Sequence, residues 1–125
     1  MTSTVNPQDV DAWRGWIGRS ESRTETLDAE ALRRYAAALG EDLAVEQRQP
    51  PLAHWAFFLP VAAADRLGPD GHPLRGGFLP PVSLVRRMFA AASMEFGEAL
   101  TLGRPATLTA TIADVRHKQI GRAHV

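Results

Sequence analysis

An acid, a base and a cation stand close together in the chain as Asp70, His72 and Arg75. An Asp/His pair can pass a proton to or from a substrate, and an arginine fork can hold a phosphate or carboxylate. The same residues also have a purely structural account. Asp70-Gly71 makes a turn, His72 caps a backbone group and Arg75 is solvated; turn chemistry explains every residue there, so this account is preferred. Arg86 and Arg87 form a second candidate, flanked by apolar residues. On a strand they would face opposite sides, with one buried or facing a partner. An ion pair with Glu95 or Glu98 is favoured slightly over a phosphate contact. His54, beside Trp55, reads as a core residue rather than a ligand, and Trp13, Trp16, Trp55, Phe57 and Phe58 read as core.

The elements that would position these groups are unevenly marked. Residues 68–81 hold four Gly and four Pro, too many breakers for a regular element, so the Asp70–Arg75 cluster lies on an ordered loop. Asp28 to Leu39 is the clearest element. Asp28 serves as N-cap, Leu32, Tyr35, Ala36 and Leu39 make a helical stripe, and Gly40 ends it. The narrow, Ala-rich stripe predicts close packing on a sheet. Residues 1–10 read as a polar leader, Trp13, Trp16 and Ile17 predict a short helix over 11–19, and the domain proper is taken to begin after a leader of residues 1–12. Ser20–Thr26 is a weak strand candidate, and His54–Leu59 has strand-like length before Pro60. Thr107, Thr109 and Thr111 alternate with Leu108, Ala110 and Ile112, as in a half-buried strand. Residues 87–98 and 105–117 are read as an antiparallel pair around a turn at Leu102–Pro105.

Composition narrows the function classes. The chain has 125 residues, 45% hydrophobic and 22% charged, with 14 basic against 14 acidic side chains. That balance lacks the basic footprint of a nucleic-acid or membrane-surface binder. Lys118 is the only lysine, and the arginine bias fits a GC-rich genome. No cysteine is present, which excludes disulfides, thiolate zinc sites and thiol catalysis within the chain. No phosphate loop, dinucleotide fingerprint, nucleophile elbow or His-Glu zinc motif occurs. No signal peptide or apolar run of membrane-spanning length is read, so a cytoplasmic location is expected.

Longer blocks carry a resemblance. Trp16–Glu21, Pro51–Pro60 (PLAHWAFFLP), Gly68–Pro81 (GPDGHPLRGGFLPP), Arg86–Phe89 and Thr111–Lys118 follow one another. Over Trp13 to Lys118 the chain resembles the N-terminal half of the MaoC-like hydroxyacyl-thioester dehydratases of type 2, near the mesaconyl-CoA hydratase group. The resemblance implies an α+β hotdog fold, in which an antiparallel sheet wraps a central helix. It implies one half of a double-hotdog hydro-lyase that adds or removes water on 3-hydroxyacyl thioesters. An acyl-CoA thioester is then the substrate, with no cofactor and no metal. The implied partners are a C-terminal catalytic hotdog, in the same chain or a separate subunit, and further copies in a homo-oligomer.

In that family the Asp/His pair belongs to a Gly-Asp-x-Asn-Pro-x-His motif of the C-terminal hotdog. This chain has no such run, and the spacing of Asp70 and His72 differs, so no catalytic residue is assigned to it. His72, Arg75, Arg86 and Arg87 are carried forward as substrate-binding candidates. Val85, Phe89 and Ala91-Ala92 stand where the family shows Pro, Trp and Gly-Gly, and Gly97-Glu98-Ala99 replaces His-Arg-Pro. The last six residues, IGRAHV, are what ATC GGA AGA GCA CAC GTC encodes, a string similar to a common sequencing adapter. The expectation is a native, C-terminally truncated hotdog over 13–119, followed by adapter translation at 120–125. A free-standing scaffold subunit that binds acyl thioesters is the rival reading.

Overall fold

The computed structural model describes residues 5–125, so the first four residues of the polar leader lie outside the described residues. The chain divides into two compact units. One is built from residues up to 21, 62–92 and 110–125, the other from 22–61 and 93–109. A two-stranded sheet pairs β1 (Ser20–Thr26) with β2 (Pro105–Thr111).

The second unit holds the main core. Its helix α2 spans Ala29–Ala38 as the sequence predicts. The Asp28 carboxylate accepts from the Glu30 amide at 3.0 Å, satisfying one free donor of the first turn. At the other end Gly40 has φ +69°, and the Gly40 and Glu41 amides return to the Ala37 and Ala36 carbonyls. This pair of hydrogen bonds needs a left-handed residue, which glycine supplies without a Cβ clash. Leu32 and Ala36 are fully buried, packed with Leu27, Val45, Ala53 and Phe57. Leu39, the last residue of the predicted stripe, is 52% exposed. The helix packs on the short 3₁₀ turn Ala53–Ala56 and is joined by Leu102 and by Ala106 of β2.

The predicted strand over His54–Leu59 is therefore corrected to this 3₁₀ turn. Trp55 and Phe57 amides bond back to Leu52 and His54, while Pro50, Pro51 and Pro60 deny the segment a ladder. Phe57 enters the core, but Trp55 is 48% exposed rather than buried. The strand pair is corrected as well. β2 pairs with β1, and residues 87–98 have no regular secondary structure. The reason lies in β1. Ser22 and Thr24 bond the hydroxyls of Thr109 and Thr107 at 3.0 and 2.8 Å, and partner numbers fall as the strand rises, which makes the pair antiparallel. Met88 and Phe89 stand 83% and 77% exposed.

On the other face of β1, Arg23 donates to the carbonyls of Phe58 and Leu59, and the Glu25 carboxylate accepts from the Phe58 amide. Charge on one face and hydroxyls on the other leave no apolar alternation, so the strand is faint in the sequence.

In the first unit, helix α1 spans Pro7–Arg14, starting inside the predicted polar leader. Asn6 and Asp9 cap each other's amides, and Pro7 occupies the first turn where no donor is needed. Trp13 is buried, and the Arg19 guanidinium lies 3.8 Å above the half-buried Trp16 ring. Gly18 and Arg19 exchange backbone bonds with Ile112, continuing the pairing beyond Ser20. Ser20 and Thr111 share a 3.0 Å hydroxyl bond. Strands β3 (Gln119–Ile120) and β4 (Ala123–His124) form a small antiparallel hairpin. No helix of the described residues is long and apolar enough to cross a membrane.

The burial pattern gives a stability contrast on one helix face. Leu32→Ala lowers the unfolding free energy by about 2–5 kcal/mol in urea titration, through lost burial and a cavity. Leu39→Ala, at an exposed position, changes it by less than about 0.5 kcal/mol.

Candidate functional site

The Gly/Pro segment of the first unit folds as an ordered loop. Gly68 donates to the His72 carbonyl at 2.7 Å, Gly71 to the Gly68 carbonyl at 3.0 Å, and Leu74 to the Arg66 carbonyl at 2.9 Å. Gly71 has φ +80°, the left-handed geometry that the Asp70-Gly71 turn requires.

His72 meets both carboxylate oxygens of Asp70. Its backbone N–H donates to Oδ1 at 3.0 Å, and its Nδ1 lies 3.0 Å from Oδ2. The predicted turn is present, with Asp70 capping the His72 amide rather than His72 acting as the cap. The Asp70 carboxyl is held below the ordinary value of 3.8, first by the backbone donor of His72 and then by its imidazole. Both side chains are about half exposed, so the pair sits at the surface.

Arg75 is not solvated. Its guanidinium donates to the Val82 carbonyl at 2.7 Å and also to the Leu84 carbonyl. These bonds fasten residues 82–84, which have no regular secondary structure, to the loop. The Gly76 amide bonds the Leu79 carbonyl at 2.9 Å and closes the bend between them. A cavity of about 360 Å³ results, lined among others by Asp70, His72, Arg75, Ser83 and Arg87. Three of the four substrate-binding candidates are thus brought together. Arg86 does not line the cavity. Arg86 and Arg87 are both exposed on irregular chain, and neither forms an ion pair with Glu95 or Glu98 among the described residues.

The second unit has a larger cavity of about 780 Å³, between residues 49–54 and 93–100. Half-buried His54 lies on it, with ring centroids 5.9 Å from both Trp55 and Phe96. The Gln49 side chain donates to the Leu100 carbonyl at 2.6 Å across the two segments. Sequence reasoning misses this cavity, because the alternation over 87–98 reads as strand. His54 and Phe96, some forty residues apart in the chain, are the aromatic side chains on its lining. Among the described residues no group of three or more His, Cys, Asp or Glu could hold a metal ion.

The cause of the Asp70 shift makes a prediction. Its carboxyl titrates below 3.8 when followed by carbon NMR. His72→Ala keeps the backbone donor, the first cause of the lowering, and removes only the imidazole's part, so the carboxyl still titrates below the ordinary value, whereas His72→Pro removes both and returns it toward that value. Since the folded value is the lower one, the turn contact contributes stability above the unfolded aspartate value. That contribution is lost as pH falls through the folded value.

Residues 52–125 match the family profile described as hydroxyacyl-thioester dehydratase type 2. The mesaconyl-C(4)-CoA hydratase of Chloroflexus aurantiacus is 40% identical over 110 residues. That alignment takes in 85% of this chain and 39% of the relative, so the chain spans about two fifths of the relative's length. With more than half its length matched and an α+β, antiparallel architecture in keeping with a hotdog half, the chain belongs to the hydroxyacyl-thioester dehydratase type 2 family.

Proposed function

We propose that this chain is the N-terminal, noncatalytic hotdog of a reversible acyl-thioester hydratase/dehydratase. Catalysis then belongs to a C-terminal hotdog outside residues 1–125. The observation that carries this reading is the 40% identity to a mesaconyl-C(4)-CoA hydratase of which the chain spans 39%. Two features support it. The Gly-Asp-x-Asn-Pro-x-His run that the resemblance calls for is absent from the sequence. The one Asp/His side-chain contact among the described residues, Asp70 with His72, spends both carboxylate oxygens and the His72 amide on closing a turn.

In this reading the chain's work is shaping and holding. A hydratase needs a general acid and base on the reacting carbons and a donor for the enolate oxygen. The half without them lines the substrate's path and buttresses the half that has them. His72, Arg75, Arg86 and Arg87 remain the proposed substrate contacts, Arg75 acting through the loop it fastens. The substrate is an acyl-CoA thioester, the partner is the catalytic hotdog, and the intact protein is a homo-oligomer. The tail at 120–125 is proposed to be adapter translation, which the codons of the source DNA decide.

The test is turnover. Crotonyl-CoA and mesaconyl-C(4)-CoA show no hydration above background with this chain alone. Hydration appears when the chain is extended by, or mixed with, a hotdog carrying the Asp/His motif. Turnover by the chain alone that His72→Ala abolishes would falsify the proposal.

A further inference from the structure

The cavity of the first unit has an unbalanced charge lining. Arg75 lends its Nη1 donors to the Val82 and Leu84 carbonyls, which are neutral, so its positive charge is not cancelled there. Arg87 lines the same cavity, with no hydrogen-bond or ion-pair partner among the described residues. The one carboxylate on the lining, Asp70, is engaged with His72 at both oxygens. Two guanidinium charges against one occupied carboxylate leave the cavity positive even with His72 neutral. Ser83 adds a hydroxyl donor, and the remaining lining is largely apolar side chain from Pro69, Pro73, Leu74, Leu84 and Val85.

We infer that this cavity binds a phosphate group, with Arg87 as the residue that grips it and Arg75 as a positioning residue. A guanidinium fork matches phosphate oxygens in bidentate fashion, and Arg87 is the fork on this lining with all of its donors uncommitted among the described residues, whereas Arg75 has Nη1 engaged. Arg75 fixes residues 82–84, and through them sets where the chain carries Arg87. The apolar wall lowers competition from water at the contact. At about 360 Å³ the cavity takes a phosphate with a short attached segment rather than a whole nucleotide carrier. Two sources offer that chemistry, free phosphate and the phosphates of a CoA thioester. The CoA source rests on the hydratase reading; the preference for phosphate does not.

The experiment follows backbone amide shifts of the chain on titration with inorganic phosphate and, separately, with CoA at low ionic strength. Saturable shifts are expected at residues 70–75 and 83–87, weakening as salt is raised. Arg87→Gln lowers the affinity about tenfold or more, the effect of losing hydrogen bonds to a charged group. Arg66→Gln, an exposed arginine of the same unit that does not line the cavity, costs much less, and Arg34→Gln on the exposed face of α2 changes nothing. Tighter binding of CoA than of phosphate, competing for the same residues, makes the carrier the source; phosphate binding with equal or weaker CoA binding makes it free phosphate. Equal losses for Arg66→Gln and Arg87→Gln would mean a diffuse basic surface and overturn the inference. So would absence of shifts with either ligand. Phosphate binding in a chain whose extended form hydrates no thioester would separate this site from the hydratase reading.

Discussion

The constraint on which this structure depends is that backbone polar groups need partners, in a chain that supplies few ladders to provide them. Side chains make up the difference. Arg75 serves the carbonyls of Val82 and Leu84, Arg23 those of Phe58 and Leu59, Gln49 that of Leu100, and Arg14 that of Val115. Tyr35 from α2 reaches the Pro51 carbonyl, and Glu25 accepts from the Phe58 amide. Each of these bonds fixes irregular chain in a definite place. Arginine is well suited to it, with several donors on one planar group and a long stem. The arginine bias, which genome composition alone could account for, thus has a structural use here.

The same device organises both cavities. In the first unit, the loop and the 82–87 segment face each other because Arg75 bridges them. In the second, the Gln49 bond to Leu100 holds together the two stretches that enclose His54 and Phe96. The cavities differ in chemistry: one is ringed by Arg, His and Asp, the other by aromatics, prolines and two glutamates. A few placed polar groups against apolar walls orient a ligand, and the first cavity has that composition with positive charge uppermost.

Part of the site is legible in the residues themselves. The Asp70-Gly71 turn follows from residue type, since Asx-Gly chemistry is local. The role of Arg75 is not legible, because its partners lie seven and nine residues away on backbone atoms that carry no sequence signature. Arg86 and Arg87 are indistinguishable as a dipeptide. Only the path of the chain past Leu84 puts one on the cavity and the other off it.

By itself the sequence determined helix α2, the Asp70-Gly71 turn and the family. The Asp28 cap, the Leu32–Ala36 stripe and Gly40 specify α2 within a few residues of chain, and the GPDGHPLRGGFLPP block carries the likeness to the dehydratases. Tertiary structure decided which strands pair. β2 alternates clearly, but its pattern suits either a segment rich in Met, Ala and Phe or one of Ser, Thr and charged residues. The polar segment takes the place because its hydroxyls bond those of β2 on one face while Arg23 and Glu25 hold residues 58–59 from the other. Strand pairing is a property of the pair and its neighbours, and no single segment's pattern contains it.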